Sequence, residues 1–285
     1  MNTLIFNNIR DFDLEQIFEC GQCFRWKACA DNMYEGVAFD RYVQVEYIDH
    51  RLAIYGADEA DRELWASYFD LDRDYGYIKA KISSDDENMA KAIEKGPGIR
   101  ILKQDPWEAI ISFIISQNNN IPRIKSSIEK LCQCYGKDLG EGHYAFPDID
   151  TLADLNEGDL DQLKLGYRQA YIIHTAKKIK SLGAYSYLDK LLGDDYDYEA
   201  CYNELIQFKG IGPKVANCIA LFGFNKFDAF PIDVWMKRVM NKLYGFEESD
   251  LEGMSAYAKE HFGEYRGIAQ QHLFYYMRAL DGEHN

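Results

Sequence analysis

The sequence predicts an α+β protein: an N-terminal twisted antiparallel β-sheet domain over 1–98, then a mostly α-helical body of two subdomains over 99–285. Three observations predict it. Apolar residues alternate with period two in Tyr42-Val43-Gln44-Val45-Glu46-Tyr47 and return in Leu52-Ala53-Ile54-Tyr55, the spacing of half-buried strands. Gly96-Pro97-Gly98 breaks the chain. Beyond that break the apolar spacing becomes helical, with capping residues at the helix starts.

Taken in order, the two strands flank a short Asp49-His50-Arg51 turn and form a hairpin. Asp105 is an N-cap acid, Pro106 occupies the first helical position and Glu108 follows three residues after the cap. The apolar run from Ala109 to Ile115 carries this helix into Ser116-Gln117-Asn118-Asn119-Asn120. Pro122 opens another helix, through Ile128 and Leu131, that stops near Gly136. Further helices are expected at about 151–163, 169–182 and 197–208. The last leads into a helix–hairpin–helix over about 198–224: one helix ends at Phe208, Gly210-Ile211-Gly212 makes a tight turn and Pro213 starts the next. Pro231 and Asp233 mark one more helix start. No segment repeats at a fixed period, which excludes a solenoid.

At roughly 150 residues per domain, 285 residues make about two domains. A hydrophobic fraction of 47% supplies a core and excludes disorder. No apolar run approaches the ~18 residues of a membrane helix, and 1–10 lack the pattern of a signal peptide. Seven cysteines, an odd number in a long chain, suggest reduced thiols. A soluble, intracellular chain is expected. The net charge of −15 argues against nucleic acid, but its distribution does not. Residues 162–188 hold Lys164, Arg168, Lys177, Lys178 and Lys180 and no acid. Residues 205–246 hold Lys209, Lys214, Lys226, Lys237, Arg238 and Lys242 against Asp228 and Asp233. Two basic islands on an acidic chain suit a polyanion docked on one face; on charge alone, ordinary solvated helix faces explain them as well.

The chemistry sits in the hairpin. Two glycines turn the backbone with its N–H groups exposed at a helix N-terminus, an anion site by geometry and dipole. Such a site holds a nucleic-acid phosphate without reading sequence. Lys214 follows at once, and Asp233 stands further on in Phe230-Pro231-Ile232-Asp233-Val234-Trp235. Separately they read as a surface lysine and an N-cap; paired, they read as a nucleophile and its carboxylate. A lysine attacks carbon only as the free amine, so its ordinary pKa of about 10.4 has to come down through desolvation or nearby cations. The flanking Pro213 and Val215, and Lys209, make both conditions available. The carboxylate would stabilise a developing oxocarbenium charge.

With its lysine and the following Pro-x-Asp, this hairpin resembles the helix–hairpin–helix DNA glycosylase superfamily, in the branch with a lysine nucleophile. Four further segments narrow the resemblance to 8-oxoguanine DNA glycosylases. Cys20-Gly21-Gln22-Cys23-Phe24-Arg25-Trp26 resembles the family's N-terminal signature, and Asn118-Asn119-Asn120-Ile121-Pro122-Arg123 its Asn-Asn-Asn-Ile-x-Arg segment. Leu165-Gly166-Tyr167-Arg168 resembles its Leu-Gly-Tyr-Arg loop, and Gly267-Ile268-Ala269-Gln270 to Phe274 the end of its base pocket. The matches keep the family's order over residues 20 to 274.

The resemblance implies a role for each position. Lys214 would attack the sugar C1′, form a Schiff base and cleave the strand by β-elimination, with Asp233 supporting it electrostatically. The Gly21 carbonyl would accept from the N7–H that 8-oxoguanine has and guanine lacks. Phe274 would stack on the flipped base, Gln270 would contact its Watson–Crick edge and Cys218 would line the pocket. Flipping is required because the target atom is inaccessible inside a duplex. Asn118 would fill the gap in the stack, Tyr167 would wedge the opposite strand, and Arg123 and Arg168 would bond the orphaned cytosine. The N–H groups of Gly210, Gly212 and Val215 would hold a phosphate.

The sequence departs from the family at Trp235, where histidine is common, and at Pro213, which removes one N–H donor. The last cysteine is Cys218, so the iron–sulfur cluster of sister enzymes is not expected. Cys20-x-x-Cys23 and Cys132-x-Cys134 lack histidines at zinc spacing. No metal or cofactor is therefore expected. The expected partner is double-stranded DNA containing an oxidised purine, met by a monomer away from any membrane, in the cytoplasm or nucleus. Two alternatives remain at this point. One is a glycosylase of the same fold for another damaged base, although the alkylated-base branch typically lacks the lysine. The other is a non-catalytic DNA-binding module, which has no use for Asp233, Gly21 or Phe274.

Overall fold

A computed structural model of the chain describes residues 2–193 and 195–282. Its N-terminal part is a five-stranded antiparallel sheet of β1 (Thr3–Phe6), β2 (Trp26–Ala30), β3 (Met33–Ala38), β4 (Arg41–Ile48) and β5 (Arg51–Tyr55), in the order β1-β5-β4-β3-β2. Register aligns the apolar positions in one cross-strand row: Tyr34 faces Val45, Val45 faces Ile54 and Ile54 faces Leu4. All four are buried, and such cross-strand rows are what hold a sheet together. Asp49 and His50, both at positive φ, make the two-residue turn between β4 and β5, whose twist matches that of the strands. Helix α1 (Leu14–Phe18) lies in the β1–β2 connection and packs Phe18 on Trp26, the rings stacked at 4.3 Å.

The sheet occupies only 3–55 of the stretch read as β-rich. Helices α2 (Arg62–Tyr68), α3 (Tyr75–Ile82) and α4 (Glu87–Lys95) follow it. Asp74 and Asp86 start the last two by accepting from Tyr77 N and Met89 N, and each cap satisfies an otherwise orphaned donor. Tyr75, Ile78, Ile82, Met89 and Ala92 on these two helices belong to the core of the helical body, not to that of the sheet.

That body comprises α5 (Pro106–Ser116), α6 (Ile121–Tyr135), a small hairpin of β6 (Asp138–Gly140) and β7 (His143–Tyr144), α7 (Ile149–Ala153), α8 (Arg168–Leu182), α9 (Tyr185–Leu192), α10 (Tyr198–Leu205), α11 (Pro213–Phe222), α12 (Val234–Tyr244), α13 (Leu251–Phe262) and α14 (Arg266–Gly282). Asp105 caps α5 as its sequence dictates, and Asn120 caps α6 by accepting from Arg123 N at 3.0 Å. The helix expected over 151–163 is instead two pieces, α7 and a 3-10 turn over Glu157–Leu163. Asn156 separates them by taking an extended N-cap conformation, since asparagine offers the backbone an alternative to continuing a helix. From Trp107 to Ile115 every residue of α5 except Glu108 is buried. This central helix packs against α6, α8 and α11, and Phe113 stacks on Phe222 of α11 at 5.4 Å. Helix α14 spans the molecule from α12 and α13 to α4. Among the described residues, no helix is long and apolar enough to cross a membrane.

Candidate active site

A cleft of about 790 Å³ opens between the α5–α6 corner, α11, α12 and α14, within the size range of ligand sites. Lys214 reaches it from the first turn of α11 and Asp233 from the N-cap of α12, where its Oδ1 accepts from Met236 N at 2.8 Å. Asn217, one turn along from Lys214, ties the two helix starts together. Its Nδ2 donates to Pro213 O at 2.9 Å, and its Oδ1 accepts from Phe230 N at 3.1 Å and from the Tyr198 hydroxyl at 2.9 Å. Lys214 and the loop bearing Asp233 are thereby fixed by one amide, which the sequence reading did not single out.

The expected lowering of the Lys214 pKa does not occur. Cys218, one turn further along α11, and then Asp233 hold the ammonium above the ordinary lysine range, against the pull of burial in the other direction. Lys209 is exposed and is not among the groups acting on it. Burial pushes the Cys218 thiol up, opposed by Lys214. Asp233 is the carboxylate facing the amine. The same carboxylate that suits a cationic transition state stabilises the resting ammonium.

The far wall of the cleft carries the expected base-recognition residues. Gly21 follows the end of α1 with φ +83°, and a Cβ built there would touch the Phe274 ring at 3.6 Å. The positive φ favours glycine at this turn, and the Phe274 ring lies within ordinary contact distance of it. Gln22, fully buried, fixes this turn. Its Nε2 donates to Ile17 O and Arg100 O at 2.9 and 2.8 Å, and its Oε1 accepts from Leu102 N at 2.8 Å. Gln270, Gln271 and Phe274 project from α14 into the same cleft, and Arg278 lies over the Phe274 ring at 5.6 Å.

Asn118 lies at the lip of the cleft, in the left-handed region at φ 46°, and its Nδ2 donates to the Tyr167 hydroxyl at 3.2 Å. Gln117, Asn118, Tyr167 and Tyr171 with Gly210 to Gly212 line an adjoining open depression. Gly212 is the N-cap of α11 and has no side chain to accept from the first-turn N–H groups, which leaves those of Lys214 and Val215 for a ligand. Arg123 is exposed, with Nη2 donating to Lys164 O at 3.5 Å. Arg168 is placed differently from an exposed base contact: it is buried, its Nε and Nη2 both donate to Gln117 O, and it also bonds Leu165 O and Asn118 O. In this state it holds the backbone that carries Asn118.

Residues 4–110 match the family model of the 8-oxoguanine DNA glycosylase N-terminal domain, and 111–262 that of the HhH-GPD superfamily base excision DNA repair proteins. The chain is 30% identical to a probable N-glycosylase/DNA lyase of Methanothermobacter thermautotrophicus, over 74% of this chain and 71% of the relative. It is 30% identical to the N-glycosylase/DNA lyase of Saccharomyces cerevisiae, over 83% and 69%. Among solved structures, it is similar to the Clostridium acetobutylicum 8-oxoguanine glycosylase/lyase in complex with double-stranded DNA containing cytosine opposite 8-oxoguanine. That likeness has a TM-score of 0.91 and 40% identity, and covers 98% of this chain and 96% of the other.

Proposed function

The chain belongs to the HhH-GPD superfamily of base excision DNA repair proteins and carries the 8-oxoguanine DNA glycosylase N-terminal domain, and from that premise we propose that it flips 8-oxoguanine out of duplex DNA, preferentially opposite cytosine, excises it through a Lys214 Schiff base and cleaves the strand by β-elimination. The observation that carries this reading is that one cleft collects an amine, a carboxylate and the Gly21–Phe274 wall. An alkylated-base glycosylase needs no amine there, and a binding module needs none of the three.

The chemistry follows from the placement. As the free amine, Lys214 Nζ attacks C1′ while the bond from C1′ to the base nitrogen breaks. Its electron pair leaves with the base, which takes up a proton. Asp233 faces the positive charge that builds on C1′ and the ring oxygen, a contact stronger in the transition state than before it. Transfer of a proton from the new amine to the ring oxygen, as the bond between C1′ and that oxygen opens, gives a protonated imine and a free 4′ hydroxyl. That imine draws electrons from C2′, whose proton is then removed as the 3′ phosphate departs. A base and sugar in the cleft strip water from the resting ammonium, and desolvation releases its proton more readily. Phosphate held at the first turn of α11 would place the sugar beside Nζ. A DNA enzyme of this kind works in the cytoplasm or nucleus.

The test is a duplex containing 8-oxoguanine opposite cytosine, incubated with and without borohydride. A covalent adduct that forms with the native protein and is lost in Lys214→Gln, with lesion binding retained, is expected. Free base without an adduct would replace the Schiff base by water attack at Asp233; equal loss of binding and activity in Lys214→Gln would remove the nucleophile assignment.

A further inference from the structure

Helix α14 carries two consecutive buried amides, Gln270 and Gln271, at 4% and 3% exposure, and both line the cleft. Gln271 Nε2 donates to Gln270 Oε1 at 3.2 Å. Gln271 Oε1 is buried with no partner among the described residues. A carboxamide has one accepting end and one donating end. With its oxygen engaged by the neighbour, Gln270 keeps its Nε2 amino group for whatever enters the cleft. The orphaned oxygen belongs to a residue of the same wall and is covered in this state, and a buried acceptor without a partner is a site waiting for a donor.

We propose that Gln271 is a specificity determinant that fixes the Gln270 amide with its amino end toward the cleft and adds its own oxygen beside it, so that this wall presents a donor next to an acceptor. That order complements a 6-oxopurine, whose O6 accepts and whose N1–H donates. A 6-aminopurine carries the reverse order, an amino donor beside an N1 acceptor, and would set donor against donor and acceptor against acceptor. Discrimination by unpaired buried polar groups is far larger than discrimination by shape. The inference rests on the proposed function, since it concerns the edge of the base that Gln270 meets. It goes beyond it in giving a role to Gln271, which would otherwise be a packed helix residue.

Two substitutions separate the role from mere packing. Gln271→Leu removes the donor. Gln271→Glu offers only acceptors, so that Gln270 has to rotate and donate its amino group to the carboxylate. Single-turnover rates are measured on duplexes with 8-oxoguanine, 8-oxoadenine or a preformed abasic site, each opposite cytosine. The rate ratio of 8-oxoguanine to 8-oxoadenine is expected to fall about tenfold or more in both variants, furthest in Gln271→Glu. Cleavage at the abasic site, where no base occupies the pocket, stays within about twofold of the native protein, and Gln271→Asn, which keeps the donor, recovers part of the ratio. An unchanged ratio in both variants overturns the proposal, and so does loss of abasic-site cleavage in proportion to lesion excision, which marks a structural role. If the native protein fails to excise 8-oxoguanine at all, it is the proposed function that falls.

Discussion

Gly210→Ala tests whether the hairpin and the opposite-strand loop are one mechanical unit. Gly210 has φ +86°, and a Cβ built there lies 2.2, 2.4 and 2.6 Å from Cδ2, Cγ and Cε2 of Tyr171. Alanine in the left-handed region costs about 1–2 kcal/mol, and forcing a ring out of a packed position about 1–3 kcal/mol more. The sum, ~2–5 kcal/mol, lowers the unfolding temperature by roughly 4–20 °C in a chain of this size. The displacement does not stop at Tyr171. Its ring meets that of Tyr167 edge-on at 5.6 Å, and the Tyr167 hydroxyl accepts from Asn118. Duplex affinity should therefore weaken about tenfold, a shift of about 1.4 kcal/mol. The assay is a double-mutant cycle by urea unfolding with Gly210→Ala, Tyr171→Ala and both. Removing the ring leaves only the backbone penalty, so a coupling of about 1–3 kcal/mol is expected. Additive effects within about 0.5 kcal/mol would refute the clash, and native duplex affinity in Gly210→Ala would refute the mechanical link.

Further outcomes are expected at the lysine and its carboxylate, the two arginines and the buried amide. Because Cys218 and Asp233 hold Lys214 above the ordinary range, the single-turnover excision rate should rise with pH from neutral into the alkaline range, as the amine fraction grows. Asp233→Asn removes a charge that favours the ammonium, so that limb should move to lower pH while the plateau falls; a limb that stays in place would show that it belongs to another group. Arg168→Ala should cost ~2–4 kcal/mol by unfolding, since it releases three backbone carbonyls from a buried guanidinium. The exposed Arg123→Ala should leave the unfolding temperature unchanged while reducing the preference for cytosine opposite the lesion, and equal rate losses against all four opposite bases would count against it. Gln22→Ala strands Leu102 N and the carbonyls of Ile17 and Arg100. It should cost ~2–4 kcal/mol and loosen the Gly21 turn, seen as a reduced excision ratio of 8-oxoguanine to guanine.

The features legible in the sequence are those made by neighbours in the chain. The caps at Asp105, Asn120 and Asp233 each bond the amide three residues on, and the 210–213 turn declares itself by its glycines and proline. Asp74 and Asp86 carry the same signal, and the helices they start lie beyond the end of the alternation at 42–55. What the sequence does not disclose is the partner of a polar side chain across the fold. Gln22 reaches 100–104, Arg168 reaches 117–118, and Gln271 is left with a free oxygen. The Lys214 pKa belongs to the same class. Its direction depends on which charges surround Nζ, and the lysine nearest in sequence is not the group that acts.

The net charge of −15 and a DNA substrate are compatible because the cleft does not share that charge. Its lining carries Lys214, Lys237 and Arg278 against Asp233. Positive groups in a low-dielectric recess focus their field outward, while acidic surface elsewhere raises the cost of every other approach of a phosphate backbone. Non-specific affinity, which grows with the number of phosphates neutralised, is then held down. On the proposed function, more of the discrimination then comes from contacts made only after a base has left the stack, for which Gly21, Phe274 and the Gln270–Gln271 pair are the candidates. In that arrangement an acidic surface favours search over retention.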